Sequence, residues 1–198
     1  MSSPLRRLGL APLALAAGFS LACAQLPHPK WPVVWGAAPA VAEQPGAPPE
    51  YDYLVARQLE LDGQIDDALA AYQRALDKDP DSSFLQRTAA ELLARNGRVE
   101  EALPFAERAQ QLEPDDDDLR LFLGTLYRIR KDTPAAERML RKEDGAPLDP
   151  DAALLLYGLY SDTDRLDDAL NVAKWMVRND PTNLRSHFAL ARVYERME

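Results

Sequence analysis

The 198-residue chain holds one cysteine and two histidines. A lone thiol closes no internal disulfide, and so few soft ligands leave no means of assembling a metal cluster or a Cys–His catalytic pair. His187 reads as a surface or packing residue, and His28 falls in a proline-rich stretch. No G-x-G-x-x-G or P-loop pattern is present to cradle a phosphate, and no alternating polar and apolar run marks a strand. Positive charge is also scarce: 23 Lys and Arg face 32 Asp and Glu, a formal net charge of −9. That balance argues against nucleic acid, whose phosphates need a basic patch. The run Asp115 to Asp118 lacks the ligand spacing of a calcium loop. It lies where a helix begins, and carboxylates there stabilise the helix N-terminus. No catalytic residue, metal, cofactor or small-molecule substrate is therefore expected, and the chain is not read as an enzyme.

The two ends are distinct from the middle. Arg6 and Arg7 precede an apolar run from Leu8 to Ala22, too short for an ordinary membrane span, so residues 1–24 read as an export signal. The flanks of Arg6-Arg7 lack the twin-arginine pattern, which favours the general secretory route. Cys23 ends this run. Ser20-Leu21-Ala22-Cys23 resembles a bacterial lipobox, which implies lipid attachment at Cys23 and a periplasmic protein held at the outer membrane. Ala22-Cys23-Ala24 would also serve for ordinary signal-peptidase cleavage, but the lone cysteine favours lipid attachment. Residues 25–50 are rich in Pro and Ala and cannot pack a core, so they read as a disordered linker spanning at most about 80 Å. Trp31 and Trp35 within it either make no lasting contact or dock to a surface.

From residue 51 to 198 the chain repeats. Gly63 recurs as Gly97, Ala68 as Ala102 and Ala136, Ala75 as Ala109, and Pro80 as Pro114, each about 34 residues on. Leu123-Gly124-x-x-Tyr127 and Leu190-Ala191-x-x-Tyr194 add a second signature. These positions resemble tetratricopeptide repeats, helix-turn-helix units that bury their apolar faces by stacking on one another. The resemblance implies an all-α, right-handed superhelical solenoid with repeats at about 51–80, 83–114, 117–149 and 150–181, and the first helix of a fifth at 184–198. Small residues at Ala56, Ala90, Gly124 and Gly158 are expected to let paired helices approach closely. Pro80, Pro114, Pro150 and Pro181 are expected to break the chain after each second helix. Glu143 stands where a small residue belongs, and Ala136 to Ala169 falls one residue short of the period. Ala189, Val193 and Met197 are expected to leave extra apolar surface on a last helix without its partner, which suggests a longer protein.

In this family the first helices of successive repeats line a concave groove. Mapping the groove-facing offsets places there Tyr53, Arg57, Phe84, Arg87, Glu91, Arg95, Leu121, Thr125, Arg128, Leu155, Leu159, Phe188 and Arg192. Arg among aromatic and aliphatic side chains suits an extended or helical peptide carrying carboxylates, because guanidinium pairs with carboxylate bidentately. The resulting expectation is a non-catalytic protein-protein interaction scaffold. The alternative is the N-terminal recognition arm of a longer, truncated enzyme.

Overall fold

The computed structural model describes residues 46–198. The expected export signal, Cys23, His28, Trp31, Trp35 and the expected linker up to residue 45 lie outside those residues. Among the described residues the chain forms nine α-helices: α1 (Pro49–Leu61), α2 (Ile65–Lys78), α3 (Ser83–Arg95), α4 (Val99–Leu112), α5 (Asp117–Ile129), α6 (Thr133–Leu140), α7 (Pro150–Asp162), α8 (Leu166–Asn179) and α9 (Leu184–Met197). The only β feature among them is an isolated bridge between Arg141 and Pro147. α1, α3, α5 and α7 each pair with the even helix that follows, each pair stacks on the next, and α9 packs on α8, so the described residues form an all-α solenoid. α1 starts at Pro49, two residues before the linker boundary expected from composition. Proline suits that first position, where its missing N–H has no helical partner to lose.

Capping chemistry differs between the two helix classes, except that α1 has no side-chain cap and α6 is capped by Asp132, which accepts from Ala135 N at 3.2 Å. Ser82, Asp116, Asp149 and Asn183 each accept a hydrogen bond from a first-turn backbone N–H at the start of α3, α5, α7 and α9. The acidic run is thus the start of α5, with Asp116 accepting from Leu119 N at 3.0 Å. α2, α4 and α8 have no side-chain cap, and instead carry the pairs Asp66-Asp67, Glu100-Glu101 and Asp167-Asp168 in their first turn, where the helix dipole favours negative charge. Alanines carry the close helix contacts: Ala56, Ala68, Ala75, Ala90, Ala102, Ala109, Ala136 and Ala169 are all fully buried. Pro104 is accommodated within α4, which runs through it unbroken.

The turn inside each repeat needs one residue in the left-handed region. Gly63 (φ 74°) and Gly97 (φ 75°) supply it in the first two repeats. Lys131 (φ 64°) and Asp164 (φ 57°) take the same conformation in the third and fourth, at a strain of roughly 1 kcal/mol or more each.

Repeat three is where the pattern changes. Its second helix, α6, has 8 residues against 14 in α2, α4 and α8. Continuing it would carry Glu143 into the position of Ala75 and Ala109, both fully buried, and an unpaired carboxylate there is costly. The chain turns away at Arg141 instead. Leu148 N donates to Leu140 O at 3.0 Å, and Leu148 fills the vacated core. Arg141 ties the turn to α7: Nη2 donates to the Tyr160 hydroxyl at 3.0 Å, and the guanidinium lies 5.6 Å from the ring centre. Arg165 stands 4.6 Å from the same ring centre.

The missing residue of the period falls within this turn, so everything after it shifts by one. Pro147, which is buried, is therefore the counterpart of Pro80, Pro114 and Pro181. Pro150, expected to end a helix, instead begins α7. Gly158 does not occupy the tight slot of Gly124. A Cβ on Gly124 would stand 2.5 Å from Leu140 Cδ2, whereas one on Gly158 would meet nothing nearer than Arg128 Nη1 at 3.9 Å. α9 also differs from expectation. Ala189 and Val193 are buried in its contact with α8, and the open apolar residues are Leu184, Phe188, Tyr194 and Met197.

Candidate functional site: the face of the odd helices

Tyr53 and Phe84, on α1 and α3, meet with ring centres 5.2 Å apart, and Tyr53 also lies 6.1 Å from Tyr72 on α2. Phe84 remains 56% exposed. Beside them Glu60, whose side chain is only 10% exposed, gathers three donors. Arg57 Nη1 reaches it at 2.5 Å, Arg95 Nη2 at 3.4 Å, and the Tyr72 hydroxyl donates to it at 2.5 Å. Burial pushes the Tyr72 phenol well above its ordinary range, and the Glu60 carboxylate pushes it further, so it stays a donor at all ordinary pH.

Arg87 is likewise engaged. Its Nε meets Glu91 at 3.0 Å and its Nη1 meets Asp116, the cap of α5, at 3.1 Å. Glu91, then the acidic residues at the start of α5, raise the Arg87 pKa despite partial burial. On α5, Leu121 is half-buried, and the Thr125 hydroxyl donates to Leu121 O at 3.0 Å. Arg128 has the loosest pairing of the four expected arginines on α1, α3 and α5, 3.9 Å from Asp162, and its Nε is buried without a hydrogen-bond partner.

The one-residue shift corrects the expected lining on α7. Leu159 is 3% exposed and belongs to the core, and Leu155 packs half-buried against that core. Counting from the shifted register puts Leu154 and Gly158 on the face shared with Leu121 and Thr125. On α9, Phe188 is 72% exposed and Arg192 is exposed, with no ion pair among the described residues. The face therefore combines aromatic and aliphatic surface with arginines that the chain's own carboxylates neutralise at the N-terminal end and leave accessible at the C-terminal end. Sequence reasoning missed those partners. Glu60 and Glu91 were legible as i+3 and i+4 neighbours of Arg57 and Arg87, whereas Asp116 and Asp162 meet their arginines only through stacking.

Residues 56–117, which span α2, α3 and α4, match the family model for the tetratricopeptide repeat. Residues 56–117 are tetratricopeptide repeat sequence. Solved structures with this fold include a MamA protein, with TM-score 0.64 and 18% identity over 74% of this chain and 81% of that one. A tetratricopeptide repeat protein from Parabacteroides merdae gives TM-score 0.61 and 18% identity, covering 78% of this chain and 61% of its own. YrrB, described as a TPR protein with an unusual peptide-binding site, gives 0.58 and 21%, with 74% and 76% covered. At such identities the likeness is one of fold. No curated protein matches the chain.

Proposed function

We propose that the concave face holds a segment of a protein partner and that the chain acts as a non-catalytic interaction scaffold. The observation that carries this reading is the exposure of Phe84 and Phe188, 56% and 72%, on one face of the solenoid among arginines. Exposed aromatic side chains beside guanidinium groups are the composition of binding surfaces. YrrB, of the same fold, carries a peptide-binding site by its description, which supports a peptide as the kind of partner.

The arginines divide by availability. Arg57, Arg87 and Arg95 serve Glu60, Glu91 and Asp116, so a partner's carboxylates would have to displace these. Arg192, which has no ion pair among the described residues, and Arg128, whose pairing with Asp162 is 3.9 Å long, are the groups most available to receive them. Arg128→Glu with Arg192→Glu should weaken capture of the partner from a cell extract at least tenfold, about 1.4 kcal/mol, at matched helicity. Arg178→Glu, on the exposed side of α8, is the control. Arg74 cannot serve, because it is bonded to buried Asp52. Equal losses from the two changes would remove the concave face from consideration.

We further propose that the protein is exported and tethered through an acylated Cys23, on the strength of Arg6, Arg7, the apolar run and the lone cysteine that ends it. Acylation by more than one chain would hold it stably at a membrane, as a single chain would not. In the Cys23→Ser variant, unchanged mass after processing and unchanged membrane association would count against this.

A further inference from the structure

Between the starts of α7 and α9 lies a cavity of about 450 Å³, walled by Leu154, Trp175 and Met176 and rimmed by Asn183, Arg185 and Ser186. That volume is within the usual range of about 300–1,000 Å³ for sites that take a small ligand or an anchoring side chain. The first repeats contain the same slot three repeats earlier, between α1 and α3, and there only about 150 Å³ remains. The difference has a residue-level cause. Tyr53 and Phe84 fill the first slot with an aromatic pair 5.2 Å apart, and their counterparts in the second are Leu154 and Arg185.

The inner wall changes in the same direction. Arg74 and Lys78, which bond Asp52 in the first repeat, are replaced by Trp175 and Asn179, and Asp52 by the fully buried Ala153. An ion cluster gives way to an indole face. Ser186 occupies the position of Leu85, Leu119 and Ala152, all buried and apolar. It is itself 98% buried, borders the cavity, and its hydroxyl makes no hydrogen bond among the described residues. The hydroxyl is not sealed in, Arg128 Nε being the one enclosed side-chain polar atom without a partner among the described residues, so it is open to a hydrogen-bonding group in the cavity.

We propose that this slot anchors one aromatic side chain of the partner segment, a tyrosine or tryptophan, with its ring against Trp175 and Leu154 and its polar tip bonded to Ser186. The chain's own use of an aromatic pair in the equivalent slot shows what the geometry accepts, and the unpartnered hydroxyl selects a ring with a polar end over phenylalanine or leucine. The inference rests on the concave-face reading and adds a specificity site to it.

The test uses the full chain with Trp31→Phe and Trp35→Phe, so that the indole N–H of Trp175 is the only indole signal in its NMR spectrum. N-acetyl-tyrosinamide should shift that signal saturably, with Kd on the order of 1 mM, and N-acetyl-leucinamide should bind at least about threefold more weakly. Ser186→Leu with Arg185→Phe, which rebuilds the filled slot, should weaken the tyrosine probe at least about tenfold at unchanged helicity. Arg185→Phe alone, at an exposed position, should give a smaller loss in the same direction. Absence of a saturable shift, equal affinity for both probes, or undiminished binding to the filled variants would overturn the proposal. Binding that appears only once Trp31 and Trp35 are replaced would also overturn it, since the chain's own indoles would then be the occupants. If the filled variant still captures the partner while the Arg128 and Arg192 reversals do not, the anchor fails and the concave-face reading stands.

Discussion

Gly124→Ala and Gly158→Ala add the same methyl group to the interior of the same class of helix, and the structure requires opposite outcomes. On α5 the new Cβ would stand 2.5 Å from Leu140 Cδ2 and 2.6 Å from Leu140 Cγ. Carbon atoms in contact prefer about 3.5–4.0 Å, and Leu140 is fully buried, so it has no free space into which to retreat. Overpacking of this kind costs about 1–3 kcal/mol, against a helix-propensity gain of about 1 kcal/mol for replacing glycine. The net result is a loss of about 0–2 kcal/mol. On α7 nothing opposes the gain, because the nearest atom is Arg128 Nη1 at an ordinary 3.9 Å. Gly158→Ala should therefore stabilise by about 1 kcal/mol, leaving the two variants about 1–3 kcal/mol apart. Urea midpoints followed by far-UV circular dichroism measure the difference. If both variants move the midpoint in the same direction by similar amounts, the two glycines are equivalent after all and the one-residue shift in repeat three is wrong.

Other outcomes follow from buried charge and backbone strain. Asp52 is 2% exposed and accepts from Lys78 Nζ at 2.5 Å and Arg74 Nε at 3.2 Å. Burial alone would raise its pKa, but hydrogen bonds and charge from Lys78 and Arg74 prevail and hold it below the usual carboxylate range. Its stabilising contribution is thus present above the unfolded pKa, about 3.9, and is lost as pH falls through the lower folded value. Asp52→Asn should cost about 1–3 kcal/mol near neutral pH, below the figure for a wholly buried pair because both cations are about a third exposed. It should also flatten the acid limb of stability against pH; an unchanged acid limb would show that Asp52 is not the group responsible. Lys131→Gly relieves left-handed strain and should raise the urea midpoint by the equivalent of about 1 kcal/mol. Asp164→Gly should gain less, because aspartate tolerates that conformation better and Asp164 also pairs with Arg196 at 2.9 Å; a loss of stability in both would contradict the strain.

The repeat period was legible because Gly63, Gly97 and the alanines are fixed by steric need, and such needs leave single-residue signatures. The turns at Lys131 and Asp164 left none, since the stacked helices impose the left-handed conformation regardless of residue type. The register of α7 could have been read from Pro147, which continues the series of Pro80 and Pro114, but Pro150 offered a competing match. Once the wrong proline is chosen, Leu155 and Leu159 replace Leu154 and Gly158 on the groove. The slot at Ser186 was hidden for a different reason. It becomes visible only when two stacked interfaces, three repeats apart, are compared side chain by side chain, and the filling of the first by Tyr53 and Phe84 is a tertiary fact.

Site-specific photo-crosslinking tests the central claim most directly. A photoreactive residue is placed singly at Leu121 or Phe188 on the odd helices α5 and α9, and at Arg108 or Lys174 on exposed sides of α4 and α8, in otherwise unaltered chains of matched helicity. Irradiation in cells of the source organism should give a discrete higher-mass adduct from the two odd-helix positions and none from the other two. Adducts of equal yield from all four positions, or from Arg108 and Lys174 alone, would contradict a partner seated on the face of the odd helices.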